Sequence, residues 1–208
     1  MARPRKPDKP ETPDTPDAVR ARIVRAAFDL AATEGWGRAD LSRVAAAAKV
    51  SLAKLHGEFP TKAAILDAFM RGIDQAVLAA GSADMDDCPR DRLFEVLMRR
   101  FDALAPHKAG VAAVLRDGCD PTVALIGLPC FLRSMAWMIE AAGLSSGGIS
   151  GLTRVNGLGL IYANAVRVWL RDDSPDMGKT MAALDQGLSR ADALVAFLCR
   201  GWDNWGRR

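Results

Sequence analysis

Apolar side chains recur every three or four positions along most of this 208-residue chain, with polar side chains between them. In the first such segment, residues 18–34, the apolar stripe consists of Val19, Ile23, Ala26, Ala27 and Leu30. This spacing puts the apolar side chains on one face of an α-helix, because the helix repeats every 3.6 residues. Strand signals are scarce, so the pattern predicts an all-α chain.

The same periodicity predicts further helices, separated by Gly, Pro and short polar runs. They are expected at residues 41–48, 52–57, 62–80, 91–104, 108–116, 121–143, 152–170 and 175–202. The helix at 121–143 is apolar around most of its circumference, so it should be buried centrally, and Pro129 should kink it. A flexible Gly/Ser linker is expected at 144–151. Ser174 should cap the last helix, with Pro175 at its first position and a possible break near Gly187.

A helix-turn-helix is predicted between Asp40 and Lys62. Asp40 and Ser51 are expected to cap the two short helices, since their side-chain oxygens can accept hydrogen bonds from backbone N–H groups. Such a pair presents its second helix to a DNA major groove. The residues expected to contact DNA are Asp40, Ser51, Leu52, Ala53, Lys54, His56 and Lys62.

Within that set, Lys54 is the main candidate for a base or phosphate contact, and His56 for the adjacent phosphate. Ser51 and Lys62 are expected to anchor the DNA backbone, Lys62 from its place at a helix N-terminus. The charge distribution agrees with this assignment. Residues 18–79 carry nine basic and six acidic side chains, which accounts for the whole net charge of +3.

A polar, turn-rich segment at residues 81–90 marks the expected domain boundary. The predicted organisation is a disordered Pro-rich tail at 1–17, a three-helix head with the helix-turn-helix at 18–80, and a larger helical body at 81–208. The fold class is therefore all-α, with a small N-terminal head and a C-terminal body.

Residues 19–68 resemble the N-terminal domain of the tetracycline-repressor (TetR) family of bacterial regulators. The residues that carry the resemblance are Ile23, Ala26–Ala27, Gly35, Val44–Ala45, Val50–Ser51, Phe59, Lys62 and Leu66. The family usually has Gly where Lys49 stands and a phosphate-contacting Tyr where His56 stands, and Glu58 adds a negative charge to the second helix. The resemblance implies a homodimeric, ligand-responsive transcriptional regulator, a repressor, that binds double-stranded DNA at a palindromic operator.

The body contains large and adaptable side chains that could line a pocket for a small hydrophobic ligand. The candidate residues are Met98, Phe101, Phe131, Met135, Met138, Tyr162 and Trp169, with Trp137 as a further possibility. The alternative is an ordinary packed core.

The closing segment, residues 189–205, carries an apolar stripe flanked by arginines. That stripe could pair with a second copy of the chain, pack internally, or lie on a membrane surface. Residues 91–195 also resemble the ubiquinone-biosynthesis accessory family, through the segment Val168–Ser174 and then Thr180, Leu184 and Asp185. This second resemblance implies an alternative function: an isoprenoid- or quinone-binding protein with a degenerate head, whose last helix touches membranes.

Catalysis is not expected, because the two histidines lie in different predicted domains and no catalytic or phosphate-loop motif occurs. No cofactor is expected. The acidic run Asp172, Asp173 and Asp176 lacks calcium-loop spacing, so no metal site is expected either. Four cysteines without a paired motif and a start without an apolar signal-peptide core favour free thiols in the cytoplasm.

Overall fold

The computed structural model describes residues 15–81, 83–117 and 121–205, with the backbone alone at 121–126 and 196–205. The described residues form helices and no strand, so the prediction of an all-α chain with an N-terminal helix-turn-helix is confirmed. The helices are α1 (Pro16–Glu34), α2 (Leu41–Ala47), α3 (Leu52–Glu58), α4 (Lys62–Ala79), α5 (Pro89–Leu104), α6 (Lys108–Asp117), α7 (Pro121–Ala141), α8 (Gly148–Trp169) and α9 (Gly178–Trp205). A 3₁₀ turn, Ala105–His107, joins α5 to α6.

Helix α1 begins two residues earlier than predicted, at Pro16. Thr15 caps it by accepting a hydrogen bond from the Ala18 N–H group at 3.3 Å, and Pro16 takes the first helical position, where its missing N–H costs nothing. Residues 1–14 of the predicted tail lie outside the described residues.

The chain divides into two compact units. One comprises the chain up to Leu66 together with Ala109–Asp117, and the other comprises Asp67–Lys108 and the chain from Gly118 onward. The first unit therefore contains α1, α2, α3 and nearly all of α6. The domain division predicted at residues 80 and 81 remains a prediction.

The core of the first unit is built from the apolar faces of α1, α2 and α3. Ile23, Val44 and Leu55 are each at most 1% exposed, and Trp36 plugs the same core at 4%. Phe28 is buried where the stripe had predicted Leu30, which is partly exposed.

Helix α6 approaches α1 closely at Gly110. A Cβ atom there would lie 2.9 Å from both the Phe28 ring and the Phe28 carbonyl oxygen, so only glycine fits at this contact.

The core of the second unit lies between α5, α7, α8 and α9. Leu97, Phe101, Met135, Met138 and Leu184 are fully buried there. Helix α7 is less buried than predicted, since Leu128 is 58% and Trp137 50% exposed. The helix runs through the exposed Pro129, and the predicted kink at that residue remains a prediction.

The predicted start of the last helix is wrong. Helix α9 begins at Gly178 rather than Pro175, and Asp172 rather than Ser174 organises the turn before it. The Asp172 carboxylate accepts hydrogen bonds from the N–H and hydroxyl of Ser174 through one oxygen, and from the N–H and hydroxyl of Thr180 through the other. These bonds, the Ser174 hydroxyl above all, hold the pKa of Asp172 well below its usual range.

The segment around residues 144–151 and Gly187 also differ from the predictions. Helix α8 begins at Gly148, which shortens the expected linker to 144–147, and α9 continues through Gly187 without a break. Glycine is needed there for close packing, because a Cβ atom at Gly187 would lie 2.6 Å from Cγ2 of Ile161 on α8.

No described helix combines the length and the apolar character that crossing a membrane requires.

Replacing Gly187 with Ala should destabilise the protein by about 1–3 kcal/mol, because the new methyl group must displace Ile161 or separate α8 from α9. Chemical denaturation measures the change. The control is Gly72→Ala at an exposed position of α4, where a Cβ atom meets nothing within 4 Å. That control should gain up to about 1 kcal/mol from helix propensity. Equal effects of the two substitutions would contradict the packing role of Gly187.

Candidate nucleic-acid interface and ligand cluster

The turn between α2 and α3 has well-defined hydrogen bonding at both ends. Helix α2 ends in a Schellman motif, in which the Val50 N–H group donates to the Ala45 carbonyl at 3.0 Å and the Lys49 N–H group to the Ala46 carbonyl at 3.1 Å. Lys49 occupies the left-handed position of that motif, with φ +55°. Ser51 then caps α3, as predicted, by accepting from the Lys54 N–H group at 3.1 Å.

Asp40 stands at the N-cap position of α2, but its carboxylate makes no capping hydrogen bond, so that part of the prediction is wrong. The carboxylate acts on Lys62 instead, since its negative charge favours the protonated form of the Lys62 amine.

Helix α3 is held by two buried side chains and presents the rest of its surface to solvent. Leu55 is 0% and Phe59 1% exposed. Leu52 is 53% exposed, and Ser51, Ala53, Lys54 and His56 are exposed as well. The residues of α3 predicted to contact DNA therefore lie on its solvent-exposed surface.

Glu58 is occupied by contacts within its own unit. One carboxylate oxygen lies 3.2 Å from the Lys54 ammonium, and the other lies 3.2 Å from the guanidinium of Arg20 on α1. Arg20 also donates to the Glu58 carbonyl at 3.2 Å, and its guanidinium stands 4.5 Å from the centre of the Phe59 ring. The hydrogen bond from Lys54 is the main cause that lowers the pKa of Glu58. The negative charge of Glu58 is therefore balanced by Lys54 and Arg20.

The contact between Arg20 and Glu58 could not be predicted from the sequence. Nothing in the spacing of the two residues, 38 positions apart, signals that they meet.

Lys62 serves the turn that follows α1. Its ammonium group donates to the Trp36 carbonyl and lies 4.6 Å from the centre of the Trp36 indole ring. Burial lowers the pKa of Lys62, against the opposing charges of Asp40 and Asp117. The same turn is tied to α6, because the Gly37 N–H group donates to the Asp117 carboxylate at 2.6 Å. A phosphate contact by Lys62 would compete with these bonds.

An open cleft of about 500 Å³ lies beside that turn, between the C-terminal ends of α1 and α6. Its lining includes Glu34, Arg38, Arg116 and Asp117 and is mostly polar. None of the predicted ligand residues lines it.

Four of the predicted ligand residues, Phe101, Phe131, Tyr162 and Trp169, form an aromatic cluster in the second unit. The Phe101 ring centre lies 4.9 Å from that of Tyr162 and 5.7 Å from that of Trp169, and Phe131 stacks on Tyr162 at 6.2 Å. Met135 and Met138 are buried, whereas Met98 and Phe131 are partly exposed. Trp137 is half exposed and does not belong to this buried set.

Beside the aromatic cluster lies a buried polar group that we call the Arg100 cluster: Asp74 on α4, Arg100 on α5, Ser134 on α7 and Tyr162 on α8. Arg100 is 0% exposed and its guanidinium donates to one oxygen of Asp74. The Ser134 hydroxyl donates to the other at 2.7 Å, and the Arg100 guanidinium lies 5.8 Å from the centre of the Tyr162 ring.

Asp74, Arg100 and Ser134 were not predicted from the sequence as members of a site. A signal existed at Arg100, which falls on the apolar stripe of α5 between Leu97 and Leu104. A charged residue at such a position needs a buried partner, but the stripe does not identify Asp74 as that partner.

Exposed large apolar side chains occur on both α8 and α9, and we call this set of residues the α8–α9 surface. It includes Ile149 at 86%, Leu152 at 63% and Leu160 at 76% exposure on α8, and Leu194 and Val195 at 58% on α9. The later members of the closing stripe, Leu198, Trp202 and Trp205, lie where only the backbone is described.

Cysteine and acidic side chains give no metal site in the part of the chain that the structure describes. Cys88 is exposed and Cys130 buried, both as free thiols. Cys130 donates to Asp67 at 3.2 Å, and burial raises the pKa of its thiol. The side chains of Cys119 and Cys199 lie outside the described residues.

Comparison with known proteins gives a family match for the N-terminal part of the chain and a fold match for most of its length. Residues 23–69 match the family model of the bacterial regulatory proteins, tetR family. The chain is similar to the crystal structure of a TetR transcriptional regulator from Nitrosomonas europaea, with TM-score 0.69 and 26% identity over 85% of this chain and 99% of that one.

Two further solved structures share the fold. A TetR transcriptional regulator from Rhodococcus sp. RHA1 has TM-score 0.62 and 22% identity, covering 84% of this chain and 96% of that one. Thermus thermophilus FadR, a TetR-family transcriptional repressor in complex with lauroyl-CoA, has TM-score 0.53 and 21% identity, covering 82% and 91%. No curated protein sequence matches the chain.

Replacing Lys49 with Gly should stabilise the protein by about 0.5–1 kcal/mol, because glycine adopts a positive φ without the steric cost that a Cβ atom brings. Thermal or urea unfolding measures the gain. The control Lys49→Ala removes the same charge but keeps a Cβ atom at φ +55°, so it should bring no comparable gain. Equal stability of the Gly and Ala variants would show that the backbone at this position is unstrained.

Proposed function

We propose that this chain, which belongs to the TetR family of bacterial regulatory proteins, represses transcription by inserting α3 into the major groove of a palindromic DNA site. The observation that carries the proposal is the arrangement of α3, anchored by Leu55 and Phe59 with its remaining residues exposed. Ser51, Leu52, Ala53, Lys54 and His56 are the proposed contact residues of this helix.

Lys54 is available for DNA although it pairs with Glu58. The pair is made by an ammonium group on a half-exposed side chain, and exposed ion pairs contribute little because water screens them. Arg20 remains with Glu58 when Lys54 turns to a base edge or a phosphate, so the carboxylate keeps a counter-charge near the DNA. Arg20 thus supports the proposed role of Lys54.

Asp40 and Lys62 have an indirect part in this proposal. The Lys62 ammonium holds the turn after α1, and Asp40 supplies charge beside it at the start of α2. Both residues then set the positions of α2 and of the start of α4 against DNA instead of reading its bases.

The α8–α9 surface supports a homodimer. Its members on α8 recur at helical spacing and so share one face of that helix, and every member is more than half exposed. A group of exposed large apolar side chains indicates an interaction surface, whereas single scattered ones do not. A second copy related by a two-fold axis would cover this surface with its own equivalent, and two heads would then match a palindrome.

Ligand response is the remaining part of the proposal. A small hydrophobic ligand would bind at the aromatic cluster and favour a conformation of the body in which the two heads no longer fit the operator. The FadR structure was solved with lauroyl-CoA, which is a property of that protein and supports the class of behaviour only.

The accessory-protein alternative has less support. Its resemblance depends above all on the segment Val168–Ser174 followed by Thr180, Leu184 and Asp185. Within that set, Asp172, Ser174 and Thr180 form the turn before α9. The hydrogen bonds of these three residues shape the connection between α8 and α9. A protein with this arrangement of helices needs such a connection whether or not it binds a lipid. Leu194 and Val195 are exposed and are compatible with membrane contact, but a dimer explains them equally.

Selection of genomic DNA fragments by the purified full-length protein tests the proposal. Enrichment of a single palindromic sequence is expected. If no fragment is enriched and the protein binds liposomes in a manner that depends on Trp202 and Trp205, the accessory alternative is correct instead.

Substituting Lys54 with Ala should weaken binding to the enriched fragment at least about fivefold and reduce the steepness of its salt dependence, because each half-site loses one cationic contact. Fluorescence anisotropy at several salt concentrations measures both. The control Lys179→Ala removes an exposed lysine from α9 and should leave affinity unchanged. Equal affinities of the two variants would exclude Lys54 as a DNA contact.

Substituting Leu160 with Glu should convert the dimer into monomers, since two-fold symmetry brings the new carboxylates into an apolar interface. Sedimentation equilibrium measures the association. Leu115→Glu, at an exposed apolar residue of α6, is the control and should remain dimeric. A Leu160→Glu variant that stays dimeric would place the interface elsewhere.

A further inference from the structure

Two buried hydrogen-bond donors in the Arg100 cluster have no partner among the described residues. They are the Tyr162 hydroxyl and the Nε group of Arg100. Tyr162 is 2% and Arg100 0% exposed, so bulk water does not satisfy them. Folded proteins pair nearly all buried polar groups, so two neighbouring exceptions indicate a position that another molecule completes.

The protonation state of Tyr162 makes it a neutral donor. Burial raises the pKa of Tyr162 to about 12, although the nearby positive charge of Arg100 opposes the shift. The phenol therefore keeps its proton at neutral pH. The Arg100 side chain is close enough to lower that pKa, yet among the described residues no group has the distance and angle of a full hydrogen bond to the hydroxyl.

The charges of the cluster are already balanced. Arg100 pairs with Asp74, and the second oxygen of Asp74 accepts from Ser134. A carboxylate brought into this site would add a buried charge without a counter-charge, which is strongly unfavourable. A plain hydrocarbon would leave both donors unpaired. The remaining possibility is a neutral acceptor.

The surroundings of the two donors are aromatic. The Tyr162 ring is flanked by Phe101 at 4.9 Å and by Phe131 at 6.2 Å. Phe131 is partly exposed, so the aromatic cluster reaches solvent at that ring. An entering molecule would meet flat apolar faces on its way to the donors.

We propose that the Arg100 cluster is the head-group end of a ligand site for an uncharged apolar molecule with a carbonyl oxygen, which accepts hydrogen bonds from the Tyr162 hydroxyl and Arg100 Nε. The proposal rests on the ligand response included in the proposed function and deepens it by naming a ligand class. Arg100 also binds Asp74 on α4, so a ligand that attracts Arg100 changes the contacts that hold α4 to α5 and α7.

Three small probes of similar shape test the ligand class with the full-length protein and no DNA: acetophenone, isopropylbenzene and benzoate. Saturation-transfer NMR and thermal unfolding measure their binding. Acetophenone should bind and raise Tm more than either of the others. Absence of acetophenone binding, or binding of benzoate or isopropylbenzene as tight as that of acetophenone, would overturn the proposal.

The Tyr162→Phe variant tests the donor, because it removes the hydroxyl and keeps the ring. Its acetophenone affinity should fall about five- to tenfold, the effect of one lost hydrogen bond, while isopropylbenzene binding stays unchanged. Its own Tm should equal or exceed that of the wild type, because an unpartnered hydroxyl contributes nothing to folding. A clear fall in Tm, as expected when an ordered water joins the hydroxyl to the protein, would overturn the proposal, and so would unchanged acetophenone affinity.

These measurements are independent of DNA binding. If the probes behave as expected and no DNA fragment is enriched, the ligand site stands and the regulator does not. If a palindrome is enriched and the probes fail, the regulator stands and its ligand is of another class.

Discussion

The buried ion pair between Arg100 and Asp74 is the interaction on which the second unit depends. It joins α5 to α4, and through the Ser134 hydroxyl it also joins α4 to α7. Removing one partner of such a pair leaves the other charge buried without compensation, at a cost of about 3–5 kcal/mol. The helices of the second unit must therefore meet where the two charges pair. The same requirement brings the Tyr162 ring beside the guanidinium.

The head uses cations in a different way, at its surface and against carbonyl oxygens and aromatic rings. Arg20 holds the end of α3 through Glu58 and Phe59, and Lys62 holds the turn after α1 through Trp36. These side chains keep α3 in place while its contact residues face solvent. Glu58, whose charge is paired with Lys54 and Arg20, and Lys49, which adopts a positive φ, are both compatible with this arrangement.

The features of the structure that depend on residues close together in the sequence could be predicted. The helical stripes and the cap at Ser51 follow from residues three or four positions apart, so α3 could be predicted almost to the residue. Partners distant in the sequence could not be predicted, because only the fold brings them together. Examples are Arg20 with Glu58, Arg100 with Asp74, and Asp172 with Thr180. Gly187 was misjudged for the same reason, because a glycine that permits close packing of two helices has the same sequence signature as one that ends a helix.

The central claim is that a dimer presents two copies of α3 to one face of DNA. Hydroxyl-radical footprinting of the full-length protein on an enriched fragment tests this most directly. The account predicts two protected segments, related by two-fold symmetry and separated by about one helical turn or a multiple of it. A single protected segment, or uniform protection without symmetry, would contradict it.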